Sequence, residues 1–194
     1  SAVLVASSAN IYGNTRTEII SESEPAQPAN DYAISKLAME HIARLWMEKL
    51  PIIVTRPFNY TGVGQSNNFL LSKIISHFQR RATSIELGNL DVARDFSDVR
   101  DVVQIYARLL KLAPAGRTFN ICSGHAYSLR NVLQMAGELA GYDLDVKVNP
   151  AFVRANEVKK LTGDPSSLYR CIGELKPIPL KDTLSWMLYS GDLQ

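Results

Sequence analysis

Asn30-Asp31-Tyr32-Ala33-Ile34-Ser35-Lys36 opens a helix, and Pro51-Ile52-Ile53-Val54-Thr55 behind it reads as a buried strand. Asn30 or Asp31 can cap the helix start, and Ile34, Leu37, Ala38, Ile42 and Leu45 recur at helical spacing as far as about Lys49. Upstream, Val3-Leu4-Val5-Ala6 is a short apolar run closed by Ser7-Ser8, which suits a strand covered on both faces of a parallel sheet. Beyond Arg56-Pro57, a loop from Asn59 to Asn67 leads into a helix carrying Phe69, Leu70, Ile74, Ile75 and Phe78. Strand, helix, strand, helix with apolar strands points to an α/β fold on a parallel sheet.

Residues 9–29, rich in Asn, Gly, Thr, Ser, Pro and Glu, read as one long loop, a length that usually marks functional or mobile segments. From residue 83 the texture changes to short strand-like pieces at Ile85-Glu86-Leu87-Gly88 and Ala93-Arg94-Asp95-Phe96. Helices are expected at about 99–113, 128–141 and 180–190, and strands near 118–122 and 144–148. The expected organisation is a sheet-bearing part over residues 1–82 and a small mixed lobe over 83–194, with about 97–122 returning to the sheet.

A chain of 194 residues, 46% of them hydrophobic, can bury one sizeable core. The formal net charge of +2 and the lack of a basic run argue against a nucleic-acid partner. The apolar opening is too short for a membrane span and has no basic flank. Cys122 and Cys171 lack metal-ligand spacing and read as two buried thiols in a reducing cytoplasm, and the three histidines are too scattered for a metal role.

Tyr32 and Lys36 lie four apart, so on a helix both side chains share one face. A free phenol titrates near pH 10, and a nearby ammonium favours the phenolate, which makes such a tyrosine a usable general acid or base. The pair alone carries little weight in a chain with eight tyrosines. Its surroundings carry more. Ser7-Ser8-Ala9-Asn10-Ile11-Tyr12-Gly13 stands at a strand end, and Arg56-Pro57-Phe58-Asn59 follows the next strand. Gly88-Asn89-Leu90-Asp91, Arg94-Asp95-Phe96, Val99-Arg100-Asp101-Val102, Phe119-Asn120-Ile121 and Gly163-Asp164-Pro165-Ser166 come after them.

In this order the motifs closely resemble those of the extended short-chain dehydrogenase/reductases that modify nucleotide-diphosphate sugars, nearest to the GDP-mannose branch. The resemblance implies a Rossmann-like sheet with a substrate lobe, and an NAD- or NADP-dependent enzyme. It implies Ser8, Tyr32 and Lys36 as catalytic residues, with Tyr32, Lys36 and Pro57 beside the nicotinamide end of the cofactor. Ser8 would hold the sugar oxygen, Tyr32 would pass the proton, and Lys36 would tune Tyr32 and bond the ribose. Asn59, Arg94 and Arg154 fall at family positions that contact substrate phosphates, where a guanidinium fork suits phosphate oxygens. Asn68 and Lys73 would wall the base, and Glu157 would accept bonds from hydroxyls of the nucleotide sugar.

The resembled branch contains 4,6-dehydratases and 4-keto-6-deoxy reductases. Dehydratases carry an acid just after the catalytic Ser or Thr, whereas Ala9 and Asn10 stand here and neither titrates usefully. Reduction of a 4-keto-6-deoxy sugar, GDP-linked by preference, is therefore the expected reaction, with epimerisation or 4,6-dehydration as alternatives. The family's glycine-rich dinucleotide turn does not occur in the sequence, and the chain starts where a relative would be more than 100 residues along. It reads as the C-terminal part of an enzyme, expected to bind NAD(P) poorly by itself. A catalytically silent nucleotide-sugar-binding fragment is the reading from a different class. A homodimer is the family's habit, but one of the two helices used for it is missing here, which leaves the oligomeric state open.

Overall fold

The computed structural model describes residues 2–152 and 160–190. Its elements in chain order are β1 (Val3–Ala6), β2 (Ile19–Ile20), α1 (Asp31–Trp46), β3 (Ile52–Pro57), β4 (Asn59–Thr61), α2 (Leu70–Gln79), β5 (Ser84–Leu87) and β6 (Ala93–Asp98). There follow α3 (Val99–Leu112), β7 (Thr118–Ile121), β8 (Ala126–Ser128), α4 (Leu129–Ala140), β9 (Asp145–Val148), β10 (Lys160–Gly163), α5 (Ser166–Ile172) and α6 (Leu180–Tyr189).

β3 is the centre of a parallel sheet ordered β1-β3-β7, with Val5 opposite Val54 and Thr55 opposite Phe119. All six of its residues are buried, as the unbroken apolar run requires. Ile52 and Val54 pack towards α1 with Ala43 and Val5. Ile53 faces the other way, into Val102, Ile105 and Leu109 of α3 and Leu168 and Ile172 of α5. The architecture is thus α/β with helices on both faces of a parallel sheet. β1 departs from the expected full cover: Val3 and Ala6 at its ends are exposed, because among the described residues β1 is an edge strand paired only with β3.

Helix α1 departs in a second way. The apolar stripe that marks it as a helix points outward, with Ile34, Ile42 and Leu45 all exposed. Its buried residues are Ala33, Glu40 and Ala43. Two alanines let the helix lie close to the sheet, and Glu40 goes inside because a charged partner meets it there.

A second sheet, ordered β2-β10-β6-β4, is parallel, with β8 added antiparallel to β6. β5 and β9 form a separate parallel pair, and α2, α4 and α6 share a core of Leu71, Ile74, Phe78, Val132, Ala136 and Leu184 with Ile85 and Leu87.

The stretch 9–29 is no free loop. Ala9–Tyr12 forms a 3-10 turn, and Ile20, fully buried, pairs alongside β10. Gln27 N–H donates to Ile11 O at 2.8 Å. Gly13 makes this crossing possible: its φ is +63°, and a Cβ there would stand 1.8 Å from Gln27 O.

Candidate active site

α1 starts where Asn30 Oδ1 accepts the Ala33 N–H at 2.9 Å, one of the orphan donors of a helix N-terminus. That start fixes the direction in which the next turn projects. Lys36 Nζ lies 5.7 Å from the centre of the Tyr32 ring and donates to Ala6 O, the last carbonyl of β1, at 2.9 Å. Two residues past Ala6, Ser8 caps the 3-10 turn, its Oγ accepting the Asn10 N–H at 3.2 Å. Ser8 is buried, whereas Tyr32 is half exposed. Pro57 ends β3, the strand beside β1. Ser8, Lys36 and Pro57 therefore stand at the carboxyl ends of neighbouring parallel strands, the edge where open α/β sheets bind ligands. Burial pushes the Tyr106 phenol above its ordinary pKa, although the hydrogen bond with Thr55 opposes this, and Tyr60 and Tyr32 lie near enough to add to the rise. Thr55 Oγ1 on β3 donates to Tyr106 Oη at 3.2 Å.

The residues expected to hold the nucleotide sugar occupy two places. Asn59 and Arg94 are on paired strands: Asn59 Nδ2 donates to Asp95 O at 3.3 Å, and Arg94 Nη1 donates to Ala93 O at 2.9 Å. Asn68 and Lys73 stand at the start of α2. Asn68 is exposed, and its N–H donates to Ser66 Oγ at 3.3 Å. Lys73 Nζ donates to Glu86 O at 2.8 Å and lies 4.8 Å from the centre of the Phe152 ring. Arg154 and Glu157 lie outside the described residues.

Under the Ser8 and Tyr32 edge is a buried polar network that the motifs do not reveal. Arg56 donates from Nε and Nη2 to the two oxygens of Glu40 at 2.9 and 2.8 Å, and from Nη1 to Tyr12 Oη at 3.0 Å and Glu22 O at 3.3 Å. Tyr12 Oη donates to Asn120 Oδ1 at 2.7 Å, while Asn120 N donates to a Glu22 oxygen at 2.7 Å. Burial pushes the Glu40 carboxyl up, but the hydrogen bonds from Arg56 and the nearby guanidinium charges of Arg56 and Arg44 outweigh it and hold the group below its usual range. Burial pushes Tyr12 up to about 12 against the pull of Arg56, so the phenol stays neutral. Glu40 follows Lys36 by four, a continuation of the Tyr32 and Lys36 spacing that could have flagged it.

A second buried acid is structural. The Asp95 carboxylate accepts Ser123 Oγ at 2.6 Å and the N–H groups of Ser123, Gly124 and Gly163 at 2.8, 3.0 and 3.2 Å, which ties β6 to the turn after β7 and to β10. Gly163 must be glycine for this closure, since a Cβ would stand 2.5 Å from Cys122 Sγ and 2.8 Å from Phe58. A mainly apolar cleft of about 350 Å³ beside it is lined by Ser123, Gly124, His125, Asp164 and Tyr169 among others, and by none of the expected site residues.

A parallel sheet with a Tyr-x-x-x-Lys helix and a serine at its carboxyl edge is the arrangement of the short-chain dehydrogenase/reductase type, in the NDP-sugar epimerase/dehydratase family. The family model described as GDP-mannose 4,6 dehydratase matches residues 1–177, and the chain belongs to that family. It is 41% identical over 171 residues to GDP-6-deoxy-D-talose 4-dehydrogenase of Aggregatibacter actinomycetemcomitans, covering 88% of this chain and 58% of the relative. It is 33% identical over 194 residues to GDP-6-deoxy-D-mannose reductase of Pseudomonas aeruginosa, covering 95% of this chain and 64% of that protein. A crystal structure of a candidate epimerase from Burkholderia cenocepacia J2315 superposes with a TM-score of 0.98 at 56% identity, over 100% of this chain and 64% of that one. Other solved structures with this fold hold NADPH or NAD. The chain thus spans about three fifths of the length of the relatives it matches.

Proposed function

We propose that the protein containing this chain reduces the 4-keto group of a nucleotide-diphosphate-linked 6-deoxy sugar, GDP-linked by preference, with Tyr32 as proton donor. One observation carries the reading: Lys36 bridges the last carbonyl of β1 and the Tyr32 ring, two residues from Ser8. Relatives named for oxidation and reduction of GDP-6-deoxy sugars supply the substrate class.

The donor set fits the nicotinamide end of an NAD(P) cofactor. Lys36 has three N–H donors and gives one to Ala6 O, which leaves others for ribose hydroxyls, and Pro57 offers an apolar wall. When bound, the dinucleotide supplies the hydride. The protein's part is alignment and proton transfer. Ser8 Oγ–H donates to the sugar's carbonyl oxygen and holds it beside Tyr32. Tyr32 Oη gives its proton to that oxygen as the carbonyl becomes a hydroxyl, and the Lys36 charge steadies the phenolate left behind. Asn59 and Arg94 hold the diphosphate, and Asn68 and Lys73 the base side, with Arg154 and Glu157 completing the set.

Dehydration is disfavoured because Ala9 and Asn10, neither of which titrates usefully, follow Ser8, and the acids of the neighbouring loop have partners of their own. Glu22 accepts from Asn120, Glu24 accepts from Thr15 and Thr17, and Glu18 faces Lys160 at 3.7 Å. Epimerisation is the second reading, favoured by the likeness to the candidate epimerase. The test is to incubate the full natural protein with GDP-4-keto-6-deoxymannose and NADPH. Cofactor oxidation with formation of a GDP-6-deoxyhexose supports reduction. Saturable GDP binding without oxidation overturns it, and sugar inversion without net oxidation supports epimerisation.

A further inference from the structure

Three elements that present Ser8, the Tyr32–Lys36 face and Pro57 meet on one buried guanidinium. Arg56, 5% exposed, spends its fork on both oxygens of Glu40 and its remaining nitrogen on Tyr12 Oη and, at 3.3 Å, Glu22 O. Glu40 stands one helical turn past Lys36 and two past Tyr32, so a planar two-bond contact there sets the rotation of α1 about its own axis. Tyr12 closes the 3-10 turn that Ser8 opens, and its hydroxyl continues to Asn120 on β7. Lys36 cannot do this job. Its single bond to Ala6 O comes from a flexible stem, which tolerates rotation of the helix.

Stability alone does not account for a buried ion pair here. Apolar side chains of similar volume commonly hold a helix on a sheet as well or better, because two desolvated charges recover little net energy. A fork with a third donor in the same plane adds direction, since it fixes the angle between the carboxylate, the guanidinium and the phenol.

We infer that Arg56 is a positioning residue for the reduction: acting through Glu40 and Tyr12, it holds the Ser8 turn and the Tyr32–Lys36 helix face in one mutual geometry without touching substrate. The inference rests on Tyr32 being the proton donor. A displacement of about 1 Å at a reacting group can cost on the order of a hundredfold in rate.

Two variants test it in the full natural protein. Arg56→Lys keeps the charge but loses the fork and the simultaneous reach to Tyr12. Tyr12→Phe keeps the ring and removes one hydroxyl, and it carries the test alone should Arg56→Lys fail to fold. Expected losses in kcat are roughly 10- to 100-fold for Arg56→Lys and about fivefold for Tyr12→Phe, with KM for the nucleotide sugar within about threefold. In a Tyr32→Phe background the same substitutions cost at most about twofold, because no donor remains to be misplaced. A purely structural role would lower Tm and cost the same factor in both backgrounds, which overturns the inference. Amide hydrogen exchange separates this from failure of the reductase reading. Arg56→Lys, or Tyr12→Phe, should speed exchange in residues 9–12 and 31–36 and leave α2 unchanged whether or not the protein turns over a sugar. Unchanged exchange in both segments sinks the positioning role even if the reductase assay succeeds. An inactive wild type with the expected exchange pattern instead sinks the reductase reading and leaves the coupling of the two segments standing.

Discussion

Beneath α2, α4 and α6 the packing is carried by Leu71, Ile74, Phe78, Val132 and Leu184, whereas the seam between α1 and β3 adds to its apolar contact of Ala43 with Ile52 and Val54 a buried ion pair, Glu40 with Arg56. Both regions are closed to water, but they are specified differently. Apolar side chains fill a volume and let neighbouring helices adjust by small rotations. A forked ion pair admits one arrangement and is costly when half of it is missing. The lobe is built to keep a shape, and the α1 seam to keep an orientation.

The largest expected break lies at the exposed end of the seam. Tyr32→Phe should lower the rate of sugar reduction by about 10²- to 10⁴-fold while leaving Tm and nucleotide-sugar affinity in place. Steady-state kinetics beside a binding isotherm measures this, and an unchanged rate would remove Tyr32 from the reaction. Next in size, Arg56→Ala should cost about 3–5 kcal/mol in urea unfolding because Glu40 is left buried and unpaired. Leu184→Ala, in the fully buried centre of the lobe, should cost about 2–5 kcal/mol through the cavity it leaves. The two diverge in function: after correction for the folded fraction, Leu184→Ala should retain its rate and Arg56→Ala should not.

A smaller effect follows from proton linkage. The Glu40 carboxyl is held below its ordinary range in the folded chain, so its contribution is fully present above about pH 4.5 and is lost as pH falls through the lower folded value. Asp95 has the opposite sign. Burial raises it despite four hydrogen bonds, so its ionised form is disfavoured by folding and acid does not remove support there. Unfolding free energies measured from pH 3 to 7 should therefore fall less steeply on the acid side for Glu40→Gln than for the parent chain. An identical acid slope would mean that Glu40 is not held ionised. At the bottom of the scale, Lys181→Ala breaks the half-exposed contact with Glu138 on the lobe surface and should leave Tm unchanged within error.

What the sequence makes legible follows the same division. Elements long enough to show a period, such as β3 and α1 to α4, can be read directly from apolar spacing. The short strands β2, β4 and β10 cannot, because a pair like Ile19-Ile20 in a polar stretch carries no apolar run or repeat, and seven-residue α5 lies between Pro165 and Gly173 with too few turns. The period also misleads at α1, where it finds the helix from its outer face. Ser8, Tyr32 and Lys36 stand out by motif and spacing. The pairing of Glu40 with Arg56 does not, although Arg56 falls in a motif and Glu40 continues the spacing of Lys36, since a charged residue looks solvated until the partner that desolvates it is known. Both members of that pair come from different elements 16 residues apart.

The strap from Gly13 to Pro28 has a practical consequence for anyone editing this molecule. Surface connections rich in Ser, Thr and Pro are the usual places to shorten a chain, insert a tag or graft a foreign peptide. Here such surgery would pull Ile20 out of the interior, strip Asn120 N–H of its Glu22 acceptor and uncouple Gln27 from Ile11. Insertions should instead be placed at the exposed Ala113-to-Ala115 bend, ahead of Gly116, whose N–H is held by Ile52 O at 2.8 Å.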